Sequence, residues 1–268
     1  MAAHDDADHA ILYSEENGVG VITLNRPDAL NTFRHADYLS LLHRLDEIGA
    51  STSVRALVIT GRGRAFSAGQ DLRELEDGAL PPVSDQIVRL EELQDITRRL
   101  IGLDVPTITA FNGFAVGAGL EIAIACDFRI AVPDAYFLFA EASRGLFPTN
   151  GVLWLLPRLV GPAHAKELLL FARKFDAEYG YRTGLVNEIV APEKLLARAV
   201  EMATDLSENS SDTIRGVKRL LRSTFEMSLE DMLREEIVYN TEVMSGADFA
   251  EGVNAFFEKR PPVFKRVE

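Results

Sequence analysis

The apolar and polar positions in the first part of the chain alternate between a strand-like and a helix-like pattern. Residues 10–13 and 18–24 have the pattern of a β-hairpin. In residues 36–48 the apolar positions recur every three or four residues, which predicts a helix with one buried face. The wholly apolar run at residues 56–60 predicts a strand covered on both faces. We therefore expect parallel strands joined by right-handed helical crossovers.

The same alternation continues through the middle of the chain. A helix is predicted at residues 84–101, and strands are predicted at residues 106–111, 128–132 and 136–139. The segment at residues 72–82 is charged and interrupted by proline, so we expect an exposed loop there.

From Gly151 onward, helical periodicity dominates the sequence. Helices are predicted at residues 152–160, 163–171, 192–207, 211–225, 229–244 and 249–257, with one strand at residues 185–190. We assign residues 1–200 to an α/β core and residues 201–268, which follow the last predicted strand, to a C-terminal helical region.

The composition fits one large α/β domain better than a series of small modules. The chain has 268 residues, of which 47% are hydrophobic and 26% charged, so there is enough apolar material for a core. Asp and Glu number 41 against 28 Lys and Arg, and the net charge of −13 opposes binding to nucleic acid. An anionic ligand therefore needs a local cluster of positive charge.

Cysteine content and the lengths of the apolar runs predict the compartment. Cys126 is the single cysteine, so no intramolecular disulfide can form, which is typical of a reducing cytoplasm. The first ten residues lack the basic and then apolar pattern of a secretory signal, and the apolar runs are far shorter than the ~20 residues of a membrane span. The five histidines are scattered, so we expect no metal site. We expect a cytoplasmic protein that does not enter membranes.

Two loops rich in small residues follow buried strands and are the candidates for a ligand site. They are GRGRAFSAGQDL at residues 61–72 and NGFAVGAGLEIAIACD at residues 112–127. Ligands of open α/β sheets bind at such carboxyl ends of parallel strands. Ala118 lies at the start of a predicted helix, where backbone N–H groups have no partner within the helix. Together with the N–H of Ala68, the N–H of Ala118 would form an oxyanion hole. The alternative is that the small residues only permit close packing of a helix on a strand.

Two carboxyl groups lie in contrasting surroundings near these loops. Glu121 lies in the first turn of an otherwise apolar helix, where the helix dipole favours its ionised form and suits a general base. Glu141 follows an apolar run that favours the protonated form and suits a general acid. Two carboxyls whose pKa values differ in this way are typical of an acid and base pair. The alternatives are a helix-capping charge at Glu121 and an exposed strand end at Glu141.

Taken together, these segments resemble the crotonase, or enoyl-CoA hydratase/isomerase, family. The resemblance covers nearly the whole chain, and its motifs are the two loops, the pair Glu121 and Glu141, LNRPDALNTF at residues 24–33, CDFRIA at residues 126–131 and EGVNAFFEKRPPVF at residues 251–264. It implies a crotonase-like core of repeated ββα units, a helical trimerisation region at residues 201–268, and trimers or dimers of trimers. It also implies acyl-CoA substrates, with CoA present as part of the substrate and no permanently bound cofactor.

The resemblance also implies roles for individual residues. The N–H groups of Ala68 and Ala118 would bind the thioester oxygen, although relatives often have glycine at the second position. Glu121 and Glu141 match the two catalytic glutamates of hydratases, one of which isomerases and ligand-binding members often lack. The residues that match CoA-binding positions are Arg26, Ala65, Asp71 and Leu72. Phe256 and Lys259 match positions that reach the adenine and phosphates of CoA from a neighbouring subunit. Arg62 and Arg64 add positive charge.

The implied activity is syn hydration of a short α,β-unsaturated acyl-CoA. Residues 145–161 have the sequence GLFPTNGVLWLLPRLVG, in place of the glycine-rich stretch that is usual in fatty-acid β-oxidation hydratases. This segment, which includes Trp154, predicts a narrow acyl pocket. The chain is similar to methylthioacryloyl-CoA hydratases of dimethylsulfoniopropionate breakdown. These enzymes hydrate the enoyl thioester and also hydrolyse it, releasing methanethiol, acetaldehyde and CoA. The alternatives are a general short-chain enoyl-CoA hydratase, another activity of the same scaffold, and a non-catalytic acyl-CoA-binding protein. The sequence leaves open which glutamate is the acid, the acyl group and the oligomer number.

Overall fold

The computed structural model of the protein describes residues 9–75 and 82–264. In chain order the strands are β1 (Ile11–Glu16), β2 (Val19–Leu24), β3 (Ala56–Gly61), β4 (Ala65–Ser67), β5 (Thr107–Phe111), β6 (Phe114–Val116), β7 (Phe128–Ala131), β8 (Tyr136–Leu138), β9 (Phe175–Asp176) and β10 (Glu188–Ile189). The α-helices are α1 (His35–Ala50), α2 (Val83–Gly102), α3 (Ala118–Ala123), α4 (Val152–Phe171), α5 (Ala177–Thr183), α6 (Leu195–Ser207), α7 (Ser211–Ser223), α8 (Leu229–Met244) and α9 (Ala247–Glu258).

Within these residues the strands form two sheets linked by a repeated unit. One sheet has the order β1-β2-β3-β5-β7-β10, and the other has the order β4-β6-β8-β9. β3 leads to β4 and α2, β5 leads to β6 and α3, and β7 leads to β8 and α4. β1 and β2 form the predicted antiparallel hairpin, and the remaining neighbours in this larger sheet, β2-β3-β5-β7-β10, pair in parallel. In the smaller sheet β8 and β9 pair antiparallel. The expected crotonase-like α/β fold of ββα units is confirmed.

Strands β4 and β6 lie in segments that we expected to be loops. Each has three residues, too few to produce a recognisable period in a stretch rich in glycine and alanine. β6 pairs in parallel with β4 on one side and with β8 on the other. Three short strands therefore end at the same edge of the smaller sheet, which is where the two candidate loops meet.

The core lies between the sheets and under the helices. Phe66 of β4, Phe111 of β5 and Phe137 of β8 are fully buried, and their rings meet edge to face at centroid distances of 5.1 and 4.7 Å. Edge-to-face aromatic pairs add to the free energy gained from apolar burial. This aromatic contact fixes the smaller sheet against the larger one.

The second half of the chain differs in detail from the prediction. α4 contains both predicted helices, and Gly161 separates them with a non-helical backbone (φ 77°, ψ 158°) just before Pro162. The predicted strand at residues 185–190 is reduced to the two residues of β10, and α5 and β9 were not predicted. The predicted loop at residues 72–82 begins with a 3-10 turn at Leu72–Leu75, and its residues 76–81 lie outside the described residues.

The C-terminal helices expose an unusual amount of apolar surface. α8 buries no residue, and exposed apolar side chains on α7, α8 and α9 include Val217, Leu221, Leu229, Leu233, Ile237, Val238, Met244, Phe249, Val253, Phe256 and Phe257. Polar contacts join α7 to the core, because Lys218 Nζ donates to Asp127 Oδ2 and to the carbonyl of Val105. No helix in the described ranges is long and apolar enough to cross a membrane.

Candidate active site

The ends of β4, β6 and β8 surround a cavity of about 200 Å³. It brings together the four residues that we predicted as reacting groups, namely Ala68, Ala118, Glu121 and Glu141. Ala68 follows β4, Ala118 begins α3 just after β6, and Glu141 lies three residues after the end of β8. The ββα repeat therefore places residues from three separate segments in one cavity.

The walls of the cavity are mainly apolar. Leu90 and Leu93 of α2 lie on one side, Leu72 lies on another, and Leu146 and Phe147 follow Glu141 on a third. Apolar walls with a small number of polar groups are typical of a small-molecule site. Among the described residues that line this cavity, Arg144 is the only one with a cationic side chain.

Two glycines allow the loops to approach each other. A Cβ on Gly69 would lie 2.7 Å from the carbonyl oxygen of Val116, and the φ of Gly69 is +87°. A Cβ on Gly117, whose φ is +52°, would lie 2.9 Å from Oε1 of Glu141. Both positions have a positive φ that favours glycine. At Gly69 a side chain would also collide with the backbone, whereas at Gly117 it would displace the Glu141 carboxyl.

The two predicted oxyanion-hole donors differ in availability. The N–H of Ala118 has no acceptor among the described residues, as expected for the first turn of a helix. The N–H of Ala68 instead donates to the carbonyl of Leu30 at 2.9 Å, which differs from the free donor that we expected. Leu30 and Asn31 both have a left-handed backbone (φ 55° and 53°), and this turn directs the Leu30 carbonyl towards Ala68.

Glu121 is 1% exposed and receives three hydrogen bonds. Oε1 accepts from the N–H of Thr149 at 3.1 Å, and Oε2 accepts from Oγ1 of Thr149 at 3.3 Å and from Nδ2 of Asn150 at 3.1 Å. Burial, followed by the charge of Glu141, raises the pKa of Glu121 to about 7. The pKa of Glu121 is thus not kept low as we expected, because loss of water outweighs the three hydrogen-bond donors.

Glu141 is also buried, and its Oε2 has no hydrogen-bond partner within the described part of the chain. Burial raises its pKa, and the nearby guanidinium of Arg144 opposes this shift. The direction agrees with the sequence-based expectation for Glu141. Two buried carboxyl groups with raised pKa values therefore lie in one cavity, where one can accept a proton and the other can donate one.

Arg26, Asp71 and Ala65 do not line the cavity, and their assignment to CoA binding stays a prediction. The Arg26 guanidinium is bound to carboxylates of Asp71 at 3.1 Å and Asp37 at 3.2 Å. Hydrogen bonds from Arg73 and Arg26 hold the pKa of Asp71 well below its usual range. Ala65 is buried, and its carbonyl accepts from the side-chain amides of Asn31 and Asn112. These residues shape the loop that carries Ala68.

The other predicted CoA-binding residues have different positions. Leu72 lines the cavity. Phe256 is 78% exposed near the end of α9, and it lines a separate apolar cavity with Phe249, Phe257 and Phe264. Lys259 caps α9 in a left-handed conformation and does not line the candidate site either. The expectation that Phe256 and Lys259 act on a neighbouring subunit stays a prediction.

The acyl wall is built differently from our expectation. Trp154 stacks on the guanidinium of Arg158, whose Cζ lies 3.8 Å from the ring centroid, and it lines a different cavity beside α7. It faces away from the predicted site because helical spacing on α4 places Leu155, and not Trp154, in the buried set. Leu146 and Phe147 supply the wall instead.

Sequence reasoning missed the donors to Glu121. Thr149 and Asn150 occupy the segment that we noted only for replacing a glycine-rich stretch. Two adjacent polar side chains in a mainly apolar segment could have indicated hydrogen-bond donors to a buried group. The sequence did not identify that group as Glu121, because 28 positions separate it from Thr149. Among the described residues, no group of three or more His, Cys, Asp or Glu side chains is placed to hold a metal ion.

The fold and the site define an α/β protein of the crotonase fold, with a helix-end amide and two buried carboxyl groups in one cavity. The chain belongs to the enoyl-CoA hydratase/isomerase family, whose model matches residues 14–267. It is 35% identical to the 1,2-epoxyphenylacetyl-CoA isomerase of Escherichia coli, covering 95% of this chain and 97% of the relative. It is 32% identical to the 2,3-dehydroadipyl-CoA hydratase of the same organism, covering 95% and 98%.

The comparison with solved structures agrees with this assignment. An enoyl-CoA hydratase from Bacillus anthracis superimposes with a TM-score of 0.91 at 30% sequence identity, covering 97% of this chain and all of the other. The architecture described above is therefore that of the family over essentially its full length.

Proposed function

We propose that the protein hydrates a short 2-enoyl-CoA. The observation that carries this proposal is the meeting of the free Ala118 N–H with two buried carboxyl groups, Glu121 and Glu141, in one cavity. Isomerisation needs a proton to be moved within the substrate, whereas hydration needs one group to take a proton from water and another to give one. The two carboxyls can divide these tasks.

In the proposed reaction the thioester oxygen accepts a hydrogen bond from the Ala118 N–H. The amide of Ala68 contributes by sharing its hydrogen with the Leu30 carbonyl, as in three-centre hydrogen bonds. Glu121 takes a proton from water as the water oxygen bonds to Cβ, and the electrons of the double bond move towards the thioester. Glu141 then gives a proton to Cα, and proton exchange restores the pair.

The finer proposal concerns the acyl group. The cavity is small and its wall is mainly apolar, which supports a short, uncharged acyl group such as 3-(methylthio)acryloyl. The resemblance of the chain to methylthioacryloyl-CoA hydratases supports the same acyl group. Uptake of two waters would then release methanethiol, acetaldehyde, carbon dioxide and CoA. A general short-chain enoyl-CoA hydratase fits the site equally well. In either case CoA enters as part of the substrate and no other cofactor is needed.

A substrate panel tests both levels of the proposal. We expect loss of the enoyl-thioester absorbance with crotonyl-CoA, and with 3-(methylthio)acryloyl-CoA we expect that loss to be followed by free CoA thiol and methanethiol. Hydration without thiol release would leave the general hydratase and exclude the finer proposal. Tight binding of both compounds in calorimetry without turnover of either would instead identify a non-catalytic acyl-CoA-binding protein.

The pH dependence of hydration follows from the state of the base. Glu121 must be ionised to accept a proton, and its pKa is about 7, so kcat/KM for crotonyl-CoA is expected to rise with pH through about 7. Glu141 must be protonated, so the rate is expected to fall again at higher pH. A profile of initial rates between pH 5 and 10 would show this. A rate that stays constant below pH 7 would contradict the role of Glu121 as the base.

We also propose that residues 201–268 form an oligomerisation region that assembles a homotrimer or a dimer of trimers. The support is the exposed apolar side chains of α8 and α9, which a soluble monomer rarely leaves in contact with water. Light scattering that gives the mass of one chain, 29.6 kDa, would contradict this proposal.

A further inference from the structure

We infer that the side chains of Thr149 and Asn150 are positioning residues that hold the Glu121 carboxylate in its ionised, reactive orientation. This inference rests on the proposed role of Glu121 as the base. It concerns two side chains that follow Pro148 in the segment joining Glu141 to α4. Neither side chain needs to touch the substrate for this role.

The contacts are specific to the carboxylate. Of the three donors to Glu121, one is a backbone amide and two are side chains, Oγ1 of Thr149 and Nδ2 of Asn150. Both side-chain donors bind Oε2, and the backbone donor binds Oε1, so neither oxygen can rotate without losing a bond. Hydrogen bonds to an ionised acceptor are roughly twice as strong as neutral ones, and they favour the charged form.

The backbone holds Asn150 in an uncommon conformation. Asn150 and Gly151 both have positive φ, 44° and 71°, and asparagine is among the few non-glycine residues that enter this region readily. Oγ1 of Thr97, on α2, donates to the Asn150 carbonyl at 2.9 Å and fixes the turn. The left-handed turn therefore aims the side chain at Glu121 and connects it to the helix that covers the cavity.

The burial of Asn150 supports a role for its side chain in binding Glu121. Asn150 is fully buried, and its Oδ1 has no hydrogen-bond partner among the described residues. A buried polar atom without a partner destabilises the folded state, so such groups are uncommon and indicate a role in the site. Here the other end of the same amide binds a buried carboxylate, which an apolar side chain could not do.

The decisive variant is Asn150→Asp, which keeps the size and the tolerance for a left-handed backbone but replaces the amide donor with a carboxyl. Loss of the donor removes stabilisation of the ionised form, and added negative charge opposes it further. We expect the rising limb of the kcat/KM profile for crotonyl-CoA to move upward by about one pH unit or more. We expect kcat to fall at least about tenfold with a smaller change in KM.

Matched variants separate positioning from a general loss of structure. Asn17→Asp makes the same change at an exposed asparagine with a similar left-handed backbone (φ 52°) in the β1–β2 turn, and it is expected to leave the profile unchanged. If Asn150→Asp does not fold, Thr149→Val removes one donor, and Thr149→Ser is expected to restore the parent profile. A parent-like pH profile in both Asn150→Asp and Thr149→Val would overturn the inference.

A direct titration keeps this test separate from the test of the proposed function. Carboxyl-labelled glutamate, followed by ¹³C NMR and assigned with Glu121→Gln, reports the ionisation of Glu121 without any turnover. If the parent does not hydrate enoyl-CoA, the proposed function fails, but an upward shift of the Glu121 titration in Asn150→Asp would still support the positioning role. An unchanged titration in a folded Asn150→Asp protein would overturn it whatever the activity.

Discussion

Glu121→Gln and Glu141→Gln are each expected to lower kcat for crotonyl-CoA hydration by about 10²- to 10⁴-fold. The reason is that each variant removes one proton-transfer group from the pair while keeping nearly the same shape. Initial rates from the loss of enoyl-thioester absorbance would measure the effect. Stability is not expected to fall in parallel for Glu141→Gln, because glutamine has nearly the shape of the neutral, protonated carboxyl, and Oε2 of Glu141 has no hydrogen-bond partner to lose among the described residues.

The control for this prediction is Glu178→Gln. Glu178 also lies in the first turn of a short helix, α5, but it is exposed and lies outside the cavity. It is expected to keep parent activity. If either cavity variant kept a rate within a few-fold of the parent, the two-carboxyl mechanism would have to be abandoned.

The second large effect is expected from Ala118→Pro. Proline lacks the N–H that we assign to the oxyanion hole, and removal of one such donor typically costs about 10²- to 10³-fold in kcat. Proline is well tolerated at the first position of a helix, and Ala118 is the first residue of α3, so the fold is expected to survive. Activity with crotonyl-CoA and circular dichroism would be measured together.

Ala247→Pro provides a matched control for this substitution. Ala247 is the exposed first residue of α9, it also follows a glycine, and it is not part of the cavity. It is expected to keep full activity. If a folded Ala118→Pro protein were also fully active, Ala118 would not be the main donor, and the amide of Ala68 would have to serve alone.

The sequence predicted the residues of the site better than their electrostatic state. Glu121 and Glu141 could be found because each stands out as an acid in an apolar stretch. The burial of Glu121 could not be deduced, since Thr149 and Asn150, which contact it, come from a distant segment. Local reasoning included the helix dipole, which acts within one turn, and missed the larger effect of removing water.

The ion pair between Arg26 and Asp71 was missed for a similar reason. Arg26 and Asp71 were assigned separately to the ligand because each lies on a segment that resembles a CoA-binding one. They are 45 positions apart, and only the fold shows that they bind each other. The short strands β4 and β6 were missed because three residues are too few for a periodic pattern, yet the fold as a whole followed from the longer elements.

The ion pairs of Arg26 with Asp37 and Asp71 have a consequence for substrate binding. They link the turn after β2, the start of α1 and the segment after Ala68 without any contribution from a ligand. A loop held in this way has already lost its conformational freedom when the protein folds. Binding therefore does not have to order it again, and more of the interaction free energy with the substrate is available as affinity.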